Sequence, residues 1–356
     1  MMVRSREDFW NLLLQAELVS GGMPQQNEPP SPWPVRVMLG AAGWLAACFL
    51  FSFAGYVFYT IFRSVLAGIP AGLICCLGAF VIFRGMQRSE FMEQFAIAAS
   101  LAGQIMMMFG FLQLFGSHTY FALFLMAAFE VALTAAIPNY IHRIFTSAAA
   151  NLFLLAALRL HGLAIGIAAV GASLLWLDPV QMGRRPSLWE PVAWGFTLTL
   201  LSLDALFTPL PHGLFWPLTV DSSTTVMRSL FFLFSSAKGL VLIYVVWKLR
   251  ERALLSLDSP AGKALTAAAV LVAGVGFAIP GIVPAILVLV LGFANSNRVL
   301  MGVGLLGFAG FLSRYYYLLS STLLVKSITL IATSAVLLAM RWAINKYFPE
   351  EAPHDA

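Results

Sequence analysis

The sequence predicts an all-α protein, built as a polytopic transmembrane helical bundle of about 12 spans, within a range of roughly 10 to 12. Three observations predict it. Hydrophobic residues make up 60% of the 356 residues and charged residues only 10%, whereas soluble domains average roughly 25% charged residues. Apolar runs near the roughly 20 residues that a spanning helix needs recur along almost the whole chain. The Lys and Arg residues concentrate in alternate joints between these runs, which places both termini in the cytoplasm.

Residues 1–35 are expected to form a cytosolic amphipathic helix followed by a Pro-rich linker. Ser5 can cap this helix together with Asp8 three residues later, and Gly21 and Gly22 end it. Because polar residues interrupt its apolar ones, we do not expect a secretory signal peptide.

The transmembrane bundle is predicted over residues 36–346, followed by a cytosolic tail over 347–356. Two six-helix halves, near 36–180 and 190–346, are one way to divide it, as in many transporters. The joints "PNYIHR" and "ANSNR" would then take corresponding places in the two halves. The predicted spans lie near 37–62, 65–83, 91–115, 119–140, 144–160, 162–177, 191–209, 229–249, 264–280, 282–295, 299–318 and 322–343.

The basic residues orient this bundle. With the N-terminus inside, the outer joints carry only Arg63, Arg159, Arg228, Arg314 and Lys326. Basic residues spread in this way describe membrane topology. The expected partner is therefore the lipid bilayer, and no nucleic acid is expected.

Three ionisable residues lie deep inside predicted spans. Lys238 is at the middle of the run from 229 to 247, about 13 Å from either end, which is too deep for its ammonium group to reach the surface easily. Its candidate partners are Asp204, which shares a helical stripe with Thr197 and Thr208, and Glu130. One interpretation is a structural ion pair, and the other is a site that binds a proton or an ion.

The third predicted span carries a polar stripe. Glu93, Ser100 and Gln104 share one face and enter from the cytosolic side, so they could line an aqueous vestibule. The alternatives are that Glu93 complements the helix dipole and that Ser100 and Gln104 bond to a neighbouring helix.

Two segments combine Pro and Gly and could interrupt helices: "AGIPAG" at 67–72 and "FAIPGIVPA" at 277–285. Interrupted helices can mark a transport site, although kinks and a tight hairpin explain them as well. The histidines and cysteines show no metal-ligand spacing, and no nucleophile elbow or phosphate loop occurs. We therefore expect no enzyme activity, no catalytic residue, no metal and no cofactor.

Several longer stretches resemble one family. The stretches "WNLLLQAELVSG", "EFMEQFAIAASLAGQ", "PNYIHR" and "SRYYYLLSSTLLVKSITLIATSAVLLAMRW" are similar to the bacterial polytopic membrane proteins grouped as domain of unknown function 4401. The resemblance implies a multi-pass protein of the bacterial inner membrane. It also implies a partner, a membrane-anchored protein encoded nearby and named for a GDYXXLXY pattern. It implies no catalytic or binding residues.

Two functions are therefore expected. The first is a transporter-like protein that moves a small solute or ion with Lys238, Asp204 and Glu130 near the midplane. The second is a non-catalytic membrane subunit that binds or stabilises a membrane-anchored envelope partner. The sequence predicts neither the substrate nor the oligomeric state.

Overall fold

The computed structural model describes residues 6–15, 32–62, 67–85, 89–158, 161–178, 183, 185–207, 236–278 and 281–318, with single residues at 324, 327, 328, 331 and 338. Within these ranges the regular structure is helical, without a strand. The helices are α1 (Arg6–Gln15), α2 (Trp33–Phe62), α3 (Gly68–Gly85), α4 (Glu90–Phe115), α5 (Thr119–Ala136), α6 (Tyr140–Ala157), α7 (His161–Leu177), α8 (Pro186–Phe207), α9 (Ala237–Arg252), α10 (Pro260–Ala278), α11 (Ile282–Ala294) and α12 (Arg298–Leu318).

The predicted all-α class is confirmed. Each predicted span from 37–62 to 299–318 corresponds to one described helix, with boundaries that differ by a few residues in most cases, and the predicted N-terminal helix is present as α1. Most of the predicted linker and of the span at 322–343, and all of the tail at 347–356, lie outside the described residues. The division into two halves stays a prediction.

Polar side chains set where several helices begin. Ser89 Oγ accepts a hydrogen bond from the Met92 N–H at 3.2 Å, and Asn139 Oδ1 accepts one from the His142 N–H at 2.9 Å. These caps satisfy N–H groups that have no partner inside the helix. Helix α6 consequently begins at Tyr140, four residues before the apolar run that predicted it.

The two segments rich in Pro and Gly differ in the structure. Helix α3 begins at Gly68, so Pro70 lies in its first turn, where the missing N–H is tolerated. Pro70 therefore does not interrupt α3 within the described residues. The second segment does separate two helices: α10 ends at Ala278, and α11 begins after Gly281, whose φ of 91° favours glycine.

Two helical segments of the described chain are long and apolar enough to cross a membrane. They are Gly68–Gly85 and Glu90–Ala136, the latter consisting of α4, a short 3-10 turn at Gly116–His118 and α5. Shorter apolar helices include Ile165–Leu177 and Ile282–Ala294. This finding favours association with a membrane.

The helices pack in antiparallel pairs that share faces. Helix α3 lies along α4, α5 along α6, and α11 along α12, while α6 also packs on α8. The largest apolar core lies among α7, α8, α9 and α11, where Leu287, Val288 and Leu291 are fully buried. A second, smaller core of Cys76, Leu133 and Ile137 joins α3 to α5.

Helices α3 and α4 approach each other at glycines. A Cβ atom on Gly72 would collide with the carbonyl oxygen of Gly103, and one on Gly103 would lie 2.6 Å from the carbonyl oxygen of Gly72. Both obstacles are backbone atoms, which cannot turn away. Small residues at helix contacts allow this close approach of two backbones.

We expect Gly72→Ala to destabilise the protein by about 1–3 kcal/mol, because it overpacks this contact. The matched control is Gly78→Ala on the same helix, where nothing lies within 4 Å of a new Cβ atom. There the higher helix propensity of Ala should leave stability unchanged or raise it by up to about 1 kcal/mol. Unfolding of both variants in detergent measures the difference, and equal stability would contradict the close contact.

Candidate functional site

A set of buried polar side chains lies among α3, α4, α5 and α6. We name it the polar cluster; it consists of Cys76, Ser100, Gln104, Glu130, Thr134, His142 and Thr146. Glu130, His142, Ser100 and Thr146 are fully buried. Polar groups in such positions need hydrogen-bond partners inside the protein.

Ser100 is the hub of one end of the cluster. Its Oγ lies 2.9 Å from His142 Nε2 and accepts a hydrogen bond from Gln104 Nε2 at 3.1 Å. The Cys76 thiol donates to the Ser100 carbonyl oxygen with a sulfur–oxygen distance of 3.6 Å. The His142 ring also meets the Phe83 ring edge to face, with 5.9 Å between the centroids. Side chains of α3, α4 and α6 therefore meet at Ser100.

Two threonines join α5 to α6 at the middle of the cluster. Thr134 Oγ1 and Thr146 Oγ1 are 2.8 Å apart. Each also lies within hydrogen-bond distance of a carbonyl oxygen one turn earlier in its own helix, Glu130 O for Thr134 and His142 O for Thr146. Since a hydroxyl has one proton, one threonine donates across the contact and the other donates to its own helix.

Glu130 is the group at the other end of the cluster. Its side chain has 0% exposure, and neither carboxylate oxygen has a hydrogen-bond partner among the described residues. Nδ1 of His142 is likewise buried without a partner there. An ionised carboxylate without a donor or a counter-charge is costly to bury.

The Thr134–Thr146 contact shows how the members of the cluster are ordered along the α5–α6 pair. Helices α5 and α6 are joined by only three residues, 137–139, so they run antiparallel. His142 lies one turn from the Thr134–Thr146 contact towards this joint, and Glu130 lies one turn from it in the opposite direction. At 1.5 Å per residue the cluster thus extends about 12 Å along the helix pair, from His142 to Glu130.

Arg143 holds the joint end of the cluster in place by satisfying two carbonyl groups that prolines leave without a helical donor. Pro138 lies four residues after Thr134, and Pro191 lies four residues after Ser187. In a helix these residues would donate to the two carbonyls, but a proline has no N–H to donate. Arg143 Nε donates to the Thr134 carbonyl at 3.0 Å, and its Nη1 donates to the Ser187 carbonyl at 2.8 Å.

The structure brings part of the predicted vestibule together. Ser100 and Gln104 are in direct contact, and their bond to α6 through His142 agrees with the alternative that they bond a neighbouring helix. Glu93 lies two turns earlier, partly buried in the first turn of α4, where an acid complements the helix dipole.

Lys238 does not lie at the middle of a helix as predicted. Helix α9 begins at Ala237, so Lys238 is in its first turn, and its side chain is buried. Of its two candidate partners, Glu130 is not in hydrogen-bond contact with it, because no donor among the described residues reaches either Glu130 carboxylate oxygen. Asp204 lies in α8, but its side chain is outside the described part, so its pairing with Lys238 stays a prediction.

The polar stripe predicted along α8 has a local explanation at one position. Thr197 Oγ1 accepts a hydrogen bond from Trp176 Nε1 at 3.0 Å and donates to the Ala193 carbonyl at 2.8 Å. Thr208 lies outside the described residues. Thr197 therefore joins α7 to α8.

Sequence reasoning missed His142, Thr146 and Cys76. The histidines and cysteines were considered only for metal-ligand spacing. The available signal was the four-residue spacing of His142 and Thr146, which places both on one face of α6 opposite Thr134. Among the described residues, no group of three or more His, Cys, Asp or Glu side chains could hold a metal ion.

Comparison with known proteins gives one match. The family model described as Domain of unknown function (DUF4401) matches residues 32–347. No curated protein and no solved structure matches the chain.

Ser100→Ala should destabilise the protein by about 1–3 kcal/mol, because it leaves the buried Gln104 amide and His142 ring without their partner. Ser173→Ala is the matched control, since Ser173 is 2% exposed and its hydroxyl has no partner among the described residues. That substitution should be neutral or stabilising. Thermal unfolding of both variants measures the difference in stability. An equal effect of the two substitutions would show that the hydrogen bonds of Ser100 do not stabilise the protein.

Arg143→Met should cost about 2–4 kcal/mol, since it removes two hydrogen bonds from a charged donor. Pro191→Ala restores an N–H that can reach the Ser187 carbonyl, so Arg143→Met should cost less in that background. A double-mutant cycle measured by chemical unfolding should give a coupling of about 0.5–3 kcal/mol. Strict additivity would refute the relation between Arg143 and Pro191.

Proposed function

Because the chain belongs to the family described as Domain of unknown function (DUF4401), a description that assigns no activity, we propose a function from its structure. The protein is a multi-pass protein of the bacterial inner membrane, transporter-like, and it moves a small solute or ion past the polar cluster. It carries out no catalysis.

The exposed surface supports the membrane part of this proposal. Large apolar side chains point outward on helices far apart in the chain: Phe49 on α2 is 77% exposed, Phe293 on α11 75% and Leu306 on α12 74%. Soluble monomers rarely expose extended apolar surface of this kind. In a bilayer these side chains would face lipid, and helices are the structures that satisfy the backbone there.

The distribution of charge supports the orientation. Arg143 lies in the first turn of α6, next to the α5–α6 joint, and the end of α9 carries Lys248, Arg250 and Arg252. Cytoplasmic joints have an excess of Lys and Arg. The joint end of the polar cluster would then face the cytoplasm, and Glu130 would lie deeper, about 9 Å from the end of α5 at Ala136.

One observation carries the transport proposal: a fully buried carboxylate, without a hydrogen-bond partner among the described residues, stands at one end of the polar cluster, which four helices supply. Ionisable residues inside a membrane are expensive, and they mark ion or proton pathways in many pumps and transporters. A purely structural cluster would be expected to satisfy all of its members.

We expect purified full-length protein in liposomes to produce charge movement on a solid-supported membrane after steps of NaCl, KCl or pH. Glu130→Gln should reduce the signal to that of protein-free liposomes. Glu251→Gln is the matched control, because Glu251 is an exposed carboxylate paired with Lys248 at 3.3 Å.

A wild-type signal no larger than that of empty liposomes under every step would reject transport. In that event the subunit function becomes the better proposal. It requires a stoichiometric envelope protein to accompany the chain through gentle purification.

A further inference from the structure

We propose that the ion bound at Glu130 is a proton, exchanged with the joint end of the α5–α6 pair along the polar cluster. This proposal deepens the proposed function: its transport part rests on that function, whereas proton binding at Glu130 does not. In the exchange the Glu130 carboxylic acid releases a proton to become a carboxylate, and only an O–H bond breaks. The proton passes to the His142 ring or to water at the joint end, and no oxidant or reductant takes part.

The surroundings of Glu130 fit a proton better than a metal cation. A metal cation such as Ca²⁺ takes six or more oxygen ligands, and the part of the chain that the structure describes has no group of acidic, His or Cys side chains able to hold one. A proton needs one carboxylate oxygen. The neutral acid also removes the charge that no described donor stabilises.

The charged and titratable groups near Glu130 come from the elements packed against α5. Arg143 of α6 is committed to two carbonyl oxygens, and His118 of the preceding 3-10 turn is exposed at the opposite end of α5. Helix α4 has acids only in its first turn, and Arg84 of α3 lies over the Phe80 ring at 4.7 Å. The remaining groups are Cys75 and Cys76 of α3 and Tyr140 and His142 of α6.

His142 has the properties of a relay. One ring nitrogen, Nε2, contacts the Ser100 hydroxyl, and the other, Nδ1, is buried without a described partner. An imidazole can accept a proton on one nitrogen and release one from the other. The Thr134 and Thr146 hydroxyls lie between His142 and Glu130 along the helix pair. The cluster thus has exchangeable protons at three successive levels.

Release of the proton would favour a different packing of the helices. The carboxylate left behind has no donor among the described residues, so the charged form is more stable in any arrangement that brings a donor or water to it. Helices α5 and α6 are held together there by the threonine contact, which such a change would alter. Protonation that selects between two packings is the linkage that coupled transport requires.

The first measurement is pH-difference infrared spectroscopy of the reconstituted full-length protein, read at the carbonyl stretch of a protonated carboxylic acid. We expect a band that disappears as the pH rises, that is absent from Glu130→Gln and that persists in Glu251→Gln. A Glu130 band that stays constant over the whole pH range in which the protein remains folded would overturn the proposal, because the proton would then never leave.

The second measurement is proton entry into the same liposomes, followed with trapped pyranine after an external acid step. We expect Glu130→Gln to abolish entry and His142→Gln to slow it by at least about tenfold. Glu130→Leu removes a buried polar group, so this variant should fold at least as well as the wild type. We expect it to lose proton entry as well, and misfolding would not explain that loss.

The two proposals fail in different ways. If the Glu130 band titrates but no proton or solute enters the liposomes, transport is rejected and the proton site stands. If a solute moves equally well in the wild type and in Glu130→Gln, and the Glu130 band does not change with pH, transport stands and the proton proposal is rejected.

Discussion

The position of α5, α6 and α8 relative to one another depends on the two hydrogen bonds of the Arg143 side chain. Pro138 ends the helical hydrogen bonding after α5, and Pro191 interrupts it inside α8, and each leaves a carbonyl oxygen without a donor. A guanidinium group has five N–H donors in a rigid plane, so one side chain can reach both carbonyls. A lysine in its place would carry all of its donors on a single ammonium group instead of spreading them over a plane.

This arrangement has a consequence for the polar cluster. His142 directly precedes Arg143, and the Asn139 cap holds its backbone. Because the Asn139 cap and the Arg143 hydrogen bonds fix the backbone here, the His142 ring is held against Ser100 of α4. Ser100 in turn lies beside Cys76 of α3. Close packing of α3 on α4 at Gly72 and Gly103 completes the set. The cluster is therefore positioned by contacts that lie outside it, mostly at the joint end, and Glu130 at the far end is the member least restrained by hydrogen bonds.

Much of the fold could be predicted because polar joints, prolines and glycines separate the apolar runs. Helix starts set by a side-chain cap were harder, and the start of α6 at Tyr140 depends on Asn139 rather than on hydropathy. The start of α9 was missed for a related reason: the run from 229 to 247 is apolar throughout, and apolar character does not reveal that a turn at Ser236 precedes the helix. Lys238 was consequently expected at the middle of a helix rather than in its first turn.

The site could be predicted only in part, because hydrogen bonds between helices leave no periodic signal in a single helix. Glu130, Ser100 and Gln104 are polar residues within apolar runs, so they could be named as candidates from the sequence. Their connection through His142 depends on the register of α6 against α4, which is a property of packing. The carbonyls orphaned by Pro138 and Pro191 can be read from the sequence, whereas the donor that serves them cannot.

Arg250 shows why an unpartnered polar group is not by itself a proton site. Like Glu130 it is buried, at 5% exposure, and its Nε and Nη1 have no hydrogen-bond partner within the described residues. A guanidinium group stays charged in proteins, so a change of protonation cannot relieve its burial. It also lies in the last turn of α9, where the partial negative charge of the helix end is favourable to a cation. Glu130 lies in the body of α5, six residues from its last residue, without that compensation. A carboxylate in this position can be neutralised by binding a proton, and this difference in chemistry, rather than burial alone, singles out Glu130.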